Sequence, residues 1–203
     1  MNTKNRYAVC FVLLGECAEW EVSLLASALR NGIGQTPETP RWQVRWLTPN
    51  GAPVRSLSGM QLAADGDLTA LPDNCAALIL AGGTGWQSPQ ALPCVSLVAE
   101  ARRCGIPVGG ICAATLFLAA HGFLNDVYHT GNTPELMKQW GSDRYTGATR
   151  YVERQAVSDG GIITANGTAI LEFARKWLFQ LEAGTPEQID TFVNWHKNGF
   201  YPA

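Results

Sequence analysis

The residues best placed for chemistry lie where a short apolar run meets a helical one. Pro107-Val108-Gly109-Gly110-Ile111 reads as a strand, and it runs without loop residues into Cys112 and then Ala113-Ala114-Thr115-Leu116-Phe117-Leu118-Ala119-Ala120, which reads as a helix. So sharp a strand-to-helix turn is a nucleophile elbow, which strains the central residue and lifts its side chain above the sheet. The adjoining helix N-terminus favours negative charge, so a thiol there is expected to ionise readily. Cys112 is the candidate nucleophile. The alternative is a small packed thiol with no chemistry.

A carboxyl and a glycine turn are the next candidates. Glu21, Leu24, Leu25 and Ala28 recur at helical spacing, which puts Glu21 on the stripe that faces the core. A buried carboxyl needs a partner, and one with a raised pKa could donate a hydrogen bond to a thiolate. Glu21 is equally an acidic residue of the kind favoured in a first helical turn. Ala81-Gly82-Gly83-Thr84-Gly85 follows the apolar run Ala76 to Leu80. Its glycines allow close backbone approach and could aim an N–H of Gly82 or Gly83 at an oxyanion, or they form a turn with no role. No G-x-G-x-x-G or G-K-[ST] follows, so a phosphate cradle and a nucleotide cofactor are not expected. The chain offers three imidazoles. His129 precedes Thr130-Gly131-Asn132 and is expected to return to the same sheet edge, whereas His121 points away and His196 sits on a terminal helix surface. Cys112, Glu21 and His129 do not match a recognised metal-ligand spacing, so no metal site is expected.

These residues must be held by a sheet. Tyr7 to Leu14, Trp42 to Thr48, Ala76 to Ala81 and Pro107 to Ile111 are apolar on both faces, as in a parallel sheet covered on both sides. Trp20 to Asn31 and Gln90 to Cys104 fit crossover helices with a glycine stop. A small antiparallel excursion is expected between 49 and 72, around Val54 and Met60 to Ala63. Later, Tyr151 to Val157 and Ile162 to Ala165 read as a hairpin across Ser158-Asp159-Gly160-Gly161. Helices over Ala169 to Glu182 and Pro186 to Lys197 follow it. The reading is one doubly wound α/β domain over 1–203.

Composition agrees with that class. The 203 residues are 46% hydrophobic, and 15 Lys+Arg against 17 Asp+Glu leave a net charge of −2, so there is core material but no field to hold nucleic acid. The longest apolar run, Tyr7 to Leu14, is far short of the roughly 20 residues that span a bilayer. Gly15 to Glu21 is acidic and lacks a small-x-small cleavage site, so the run reads as a core strand and not as a secretory signal. The six cysteines show no C-x-x-C pair or disulfide framework, and reduced thiols in the cytoplasm are expected.

With these features in place, the chain resembles the ThiJ/PfpI family of the class I glutamine amidotransferase-like superfamily over nearly its whole length. The marks are Ala18-Glu19-Trp20-Glu21, Leu80-Ala81-Gly82-Gly83, Gly110-Ile111-Cys112-Ala113-Ala114, and Asp159 to Ala169 leading into Leu171-Glu172-Phe173-Ala174. The resemblance implies a flavodoxin-like sandwich, often a homodimer, with Cys112 as the reactive cysteine and Glu21 bonded to it. It also implies that the backbone N–H groups of Gly83 and Ala113 form an oxyanion pocket. Ala113 stands where protease-like members carry a histidine, which argues against peptidase activity. No histidine is followed two residues on by Glu, which argues against a glutaminase. Ala114 replaces a second glycine usual after the elbow. The remaining branch is associated with redox sensing, small-aldehyde hydration or deglycation, and chaperone-like activity. Two functions are therefore expected to compete: addition of a Cys112 thiolate to a small carbonyl or acyl substrate, and oxidation of Cys112 as a sensor. A binding subunit that kept the fold and lost the chemistry is a third reading. Trp86, Trp140 and Tyr145 either line the substrate pocket or pack against the domain.

Overall fold

The computed structural model describes residues 7–33 and 42–199. In chain order the elements are β1 (Ala8–Val12), α1 (Trp20–Asn31), β2 (Gln43–Leu47), β3 (Val54–Arg55), β4 (Gln61–Leu62), β5 (Cys75–Leu80), α2 (Pro93–Arg103), β6 (Val108–Ile111) and α3 (Ala113–Ala120). They continue with α4 (Pro134–Gly141), β7 (Ala156–Asp159), β8 (Ile162–Ala165), α5 (Ile170–Gln180) and α6 (Pro186–Asn198). Among the described residues, six strands form one sheet in the order β2-β1-β5-β6-β8-β7, parallel except for β7 at one edge. This is the flavodoxin-like, doubly wound architecture expected.

Alternation along the central strands divides the core. Cys10, Val12, Leu78, Leu80 and Val108 face α2 and α3, while Val9, Phe11, Ala77, Ile79 and Ile163 face α1 and α5. The register places Val12 beside Leu80, Leu80 beside Gly110, and Ile111 beside Ala165, so four strands end at one level. The chain leaves β1 to build one side of the sheet and returns through β5 on the other. That makes the β1/β5 boundary a topological switch point, where open α/β sheets form their sites.

Several boundaries differ from the sequence reading, each for a local reason. The strand read over Trp42 to Thr48 is not buried on both faces: β2 is an edge strand, with Gln43 exposed and only Leu47 buried. Its outer edge is partly covered, since Trp46 N–H donates to Asp65 Oδ2 at 2.8 Å and Leu47 bridges Gly66. The helix read from Gln90 starts at Pro93, after two 3-10 turns over Thr84–Gln87 and Pro89–Ala91. Proline is well suited to that first helical position. In the hairpin, Tyr151 bridges His129, and β7 begins only at Ala156. Gly160 and Gly161, both at positive φ, make the two-residue turn. α4 lies in a segment to which the sequence pattern assigns no element. The excursion between 49 and 72 is present as the antiparallel pair β3 and β4.

Gly109 shows how tightly β6 is held. A Cβ there would lie 2.5 Å from Trp177 Cζ2 and 2.8 Å from the Ile163 carbonyl oxygen, and Trp177 is fully buried. Gly109→Ala is therefore expected to lower unfolding free energy by about 1–3 kcal/mol, measured as a shift in urea midpoint. An unchanged midpoint would show that α5 can move away from the sheet at no cost.

Candidate active site

Cys112 adopts φ 57° and ψ −128°, a strained conformation for a residue with a Cβ. The surroundings hold it there. Its N–H donates to the Ala165 carbonyl at 3.0 Å, and its carbonyl accepts from the Thr115 N–H at 3.1 Å and the Thr115 hydroxyl at 2.6 Å. Space is equally restrictive: a Cβ on Gly110 would meet Leu118 Cδ1 at 3.1 Å and the Ala114 carbonyl carbon at 3.2 Å. The elbow inferred from the sequence is thus present, with the half-buried side chain of Cys112 at the start of α3 and the Ala113 N–H toward its sulfur.

Glu21 reaches the same point from the first turn of α1, where it shares the buried stripe with Val22, Leu25, Ala28 and Leu29. Ala18 N–H donates to the Gly82 carbonyl at 3.0 Å, which ties the approach to α1 onto the turn after β5. Glu21 is 3% exposed, and its carboxyl lies against Cys112, whose thiol favours the charged form of the carboxyl. Two glycines make this contact possible. A Cβ on Gly82 would overlap Glu21 Oε2 and stand 2.7 Å from Cys112 Cβ, and one on Gly167 would stand 2.9 Å from Cys112 Sγ and 3.3 Å from Glu21 Oε1. The two candidates drawn from separate sequence segments are in contact.

The glycine turn, of which Gly82 or Gly83 could aim an N–H at an oxyanion, places its two glycines in different surroundings. The Gly82 backbone interacts with the Glu21 carboxyl, because that carboxyl is packed directly against it. A Cβ on Gly83, which is at φ 125°, would overlap the Glu16 carbonyl oxygen and stand 2.6 Å from Cys17 Cα, so no side chain fits. Among the described residues the bonds flanking it, Ala18 N–H to Gly82 and Thr84 N–H to Glu16, do not use its own N–H.

His129 does not join the pair. It is fully buried, with Nδ1 2.8 Å from the Val127 carbonyl and Nε2 2.7 Å from the Tyr145 hydroxyl. A carbonyl only accepts, so Nδ1 carries the proton and Nε2 accepts from Tyr145, which uses both nitrogens of a neutral ring. Burial holds its pKa below the usual histidine range and that of Tyr145 up at about 12. The expectation of His129 as a base at Cys112 fails for that reason. His121 stacks on Phe117, and His196 is exposed on α6. Of the aromatic residues, Trp86 is buried and donates to the Ala81 carbonyl at 2.8 Å, and Tyr145 is spent on His129, so both pack against the body. Half-buried Trp140 lines a separate cavity of about 460 Å³ with Phe117 and His121. Among the described residues, no group of three or more His, Cys, Asp and Glu is placed to hold a metal ion.

The residue missed is Asn132, whose Nδ2 lies 3.5 Å from Cys112 Sγ and whose Oδ1 accepts from the Gly167 N–H at 2.9 Å. Its signal was its place in Thr130-Gly131-Asn132, the segment already expected to return to this edge. A cavity of about 620 Å³ adjoins it, lined by Thr130, Tyr151, Glu153, Arg154 and Asn166 among others.

The electrostatics of the pair also differ from expectation. Burial raises Glu21 from 4.5 to about 7, outweighing the Cys112 thiol and the Gly82 backbone, which favour the charged form. Burial pushes the Cys112 thiol up as well, aided by a charged Glu21 and opposed by Asn132 and the Ala113 N–H. The resting group is a thiol beside a carboxyl that titrates near neutrality, in place of the expected free thiolate. Because the folded state holds the Glu21 proton more tightly than the unfolded state, this stabilisation is complete below pH 4.5 and is lost as pH rises through about 7. Its size is on the order of 3 kcal/mol. Thermal midpoints between these limits are expected to fall with pH, and Glu21→Gln to flatten that slope. An equally steep slope in the variant would place the titrating group elsewhere.

Comparison with known proteins agrees with this architecture. The DJ-1/PfpI family model matches residues 7–180. A Bacillus subtilis protein named uncharacterized protease YdeA is 34% identical over 191 residues, covering 94% of this chain and 91% of that protein. Among solved structures, the DJ-1 superfamily protein Atu0886 from Agrobacterium tumefaciens superposes with TM-score 0.84 at 34% identity, covering 96% of this chain and all of that one. A thiJ/pfpI family protein from Bacillus anthracis does so with TM-score 0.87 at 28% identity, over 96% and 92% of the two chains. The elbow therefore sits in a fold and a sequence background shared along almost the whole length, and the chain belongs to the DJ-1/PfpI family.

Proposed function

We propose that the protein is a cysteine-dependent catalyst acting on small carbonyl or acyl compounds, with Cys112 as nucleophile and Glu21 as its proton partner. The observation that carries this reading is the contact between the Glu21 carboxyl and a thiol held on a strained elbow. Above pH 7 Glu21 is a carboxylate and can take the S–H proton as sulfur attacks the carbonyl carbon. The new C–S bond forms as the carbonyl π pair moves to oxygen. The Ala113 and Gly83 N–H groups receive that oxyanion. With an aldehyde Glu21 returns its proton to the oxyanion and a reversible hemithioacetal results; with an ester the oxyanion collapses, Glu21 gives its proton to the departing alkoxide, and water then hydrolyses the thioester to the acid and the free thiol. No nucleotide or metal takes part in the scheme. A small-molecule substrate is the only partner the chemistry requires, and family resemblance supports a homodimer.

Peptide cleavage fits less well, although the B. subtilis relatives carry the name protease. Ala113 replaces the histidine of protease-like members, and His129 is turned away, which leaves the sulfur without an imidazole. A second reading has one observation in its favour: Glu21 Oε2 is buried with no well-formed hydrogen bond, so a protonated carboxyl there could donate to oxygen on an oxidised sulfur. In that reading a peroxide oxidises Cys112 to the sulfenic acid and leaves as the alcohol or water.

The test is turnover of a panel of small aldehydes and activated esters. Activity is expected to rise with pH to a plateau, with a midpoint near 7 set by Glu21. Glu21→Gln should lose about a hundredfold to ten-thousandfold. Folded Cys112→Ser should be inactive, and turnover surviving in that variant would end the catalytic reading. Absence of turnover together with selective peroxide oxidation of Cys112 would establish the sensor instead.

A further inference from the structure

Asn132 sits where the three chain segments around the sulfur meet, and the polarity of its amide is determined. The Gly167 N–H can only donate, so the Asn132 atom 2.9 Å from it is the oxygen, and the NH2 group is the end turned to Cys112 Sγ. The same bond ties the segment before α4 to the loop after β8.

That segment is itself immobilised. Thr130 N–H donates to Thr164 Oγ1 at 2.8 Å, and Thr130 Oγ1 donates to the Arg154 carbonyl at 2.7 Å. The Gly131 carbonyl accepts from the Tyr151 hydroxyl at 3.1 Å, and Thr133 caps α4. A Cβ on Gly131 would stand 2.6 Å from Met137 Cε and 2.7 Å from Thr115 Oγ1, so the backbone beside Asn132 has no room to shift. The donor aimed at the sulfur is therefore preorganised.

We propose that Asn132 is a catalytic residue of this site, holding Cys112 Sγ as a hydrogen-bond acceptor so that its S–H is directed to Glu21, and stabilising the charge left on sulfur when that proton departs. Asn132 Nδ2 donates to Sγ, and the Ala113 N–H favours the charged sulfur; both are donors only, so neither can receive the thiol proton. Glu21 is the acceptor in contact with it. An amide cannot exchange roles with protonation as an imidazole does, so Asn132 opposes the burial of Cys112 at every working pH without competing for its proton. The charged groups nearest on Asn132's other side are Glu135, Glu153 and Arg154, which line the adjoining cavity. This inference rests on the reading of Cys112 as a nucleophile.

The test measures alkylation of each cysteine by iodoacetamide against pH, by peptide mass spectrometry, in the wild type and in Asn132→Leu and Asn132→Asp. Leu removes the donor. Asp keeps an oxygen for the Gly167 N–H but turns a carboxylate to the sulfur. The expected result is a Cys112 profile moved to higher pH in the order Asp beyond Leu beyond wild type. For Leu the shift should be about one unit, or about tenfold slower reaction near neutrality. Thermal midpoints confirm folding, and Asp alone suffices should Leu fail to fold. Variant profiles that superimpose on a reactive wild type would overturn the role of Asn132 and leave the nucleophile reading intact. Turnover that survives complete alkylation of wild-type Cys112 would overturn the nucleophile reading, and this role with it.

Discussion

A carboxyl buried against a thiol is the constraint around which the rest of this molecule is arranged. Removing Glu21 from water favours its neutral form, and the Cys112 thiol in contact with it favours the charged one. Neither group would hold such a position alone. α1 brings the carboxyl in from the end of β1, the elbow brings the thiol up from β6, and the parallel register brings both strand ends to the same height across β5. The topological switch between β1 and β5 supplies the gap in which they meet.

Backbone, more than side chain, closes that gap. Gly82 and Gly167 approach the pair from opposite loops, and each occupies space a methyl group would need. Their amides are then free to act: one favours the charged carboxyl, and the other orients Asn132. The strain at Cys112 is maintained by the same principle, because the bonds from Ala165 and Thr115 and the crowding at Gly110 leave the elbow no easier conformation. A water-poor site made of amides carries fixed dipoles, and such dipoles need not reorganise when charge moves between sulfur and carboxyl.

The parts of this arrangement that were legible in the sequence are those governed by local pattern. β1, β5 and β6 are covered on both faces, so they appear as apolar runs, and the elbow is visible as a strand and helix with no residues between them. Glu21 stood out because a carboxyl interrupted an apolar stripe. β2 was misjudged because its apolar residues, Trp46 in particular, cover the sheet edge and pack on Phe11 at 4.9 Å without being enclosed. His129 and Asn132 lie three residues apart in one returning segment, and nothing in their spacing says which one faces the sulfur. That choice belongs to Val127, Tyr145 and Gly167, and two of those three are distant in the chain. The direction of the Cys112 pKa was hidden for a related reason. A helix N-terminus is a local feature that lowers it, while the burial that raises it comes from segments far along the chain.

The absence of an imidazole at the sulfur then has a physical consequence for what the site can do. With a histidine in contact, a thiol can pass its proton to a neutral base and stand as a thiolate beside a cation, which is a reactive resting state. Here the base is an acid titrating near neutrality, and transfer of the proton leaves a neutral carboxyl beside a negative sulfur. Among the described residues no cation acts on that sulfur, so under this reading it depends on the donors of Asn132 and Ala113 and gains most when an electrophile arrives to take its electrons. Under the proposed catalytic reading, such a pair is quiet at rest and would favour substrates whose carbonyl carbon is open to attack, because the cost of charging the thiol is recovered only as the new bond forms.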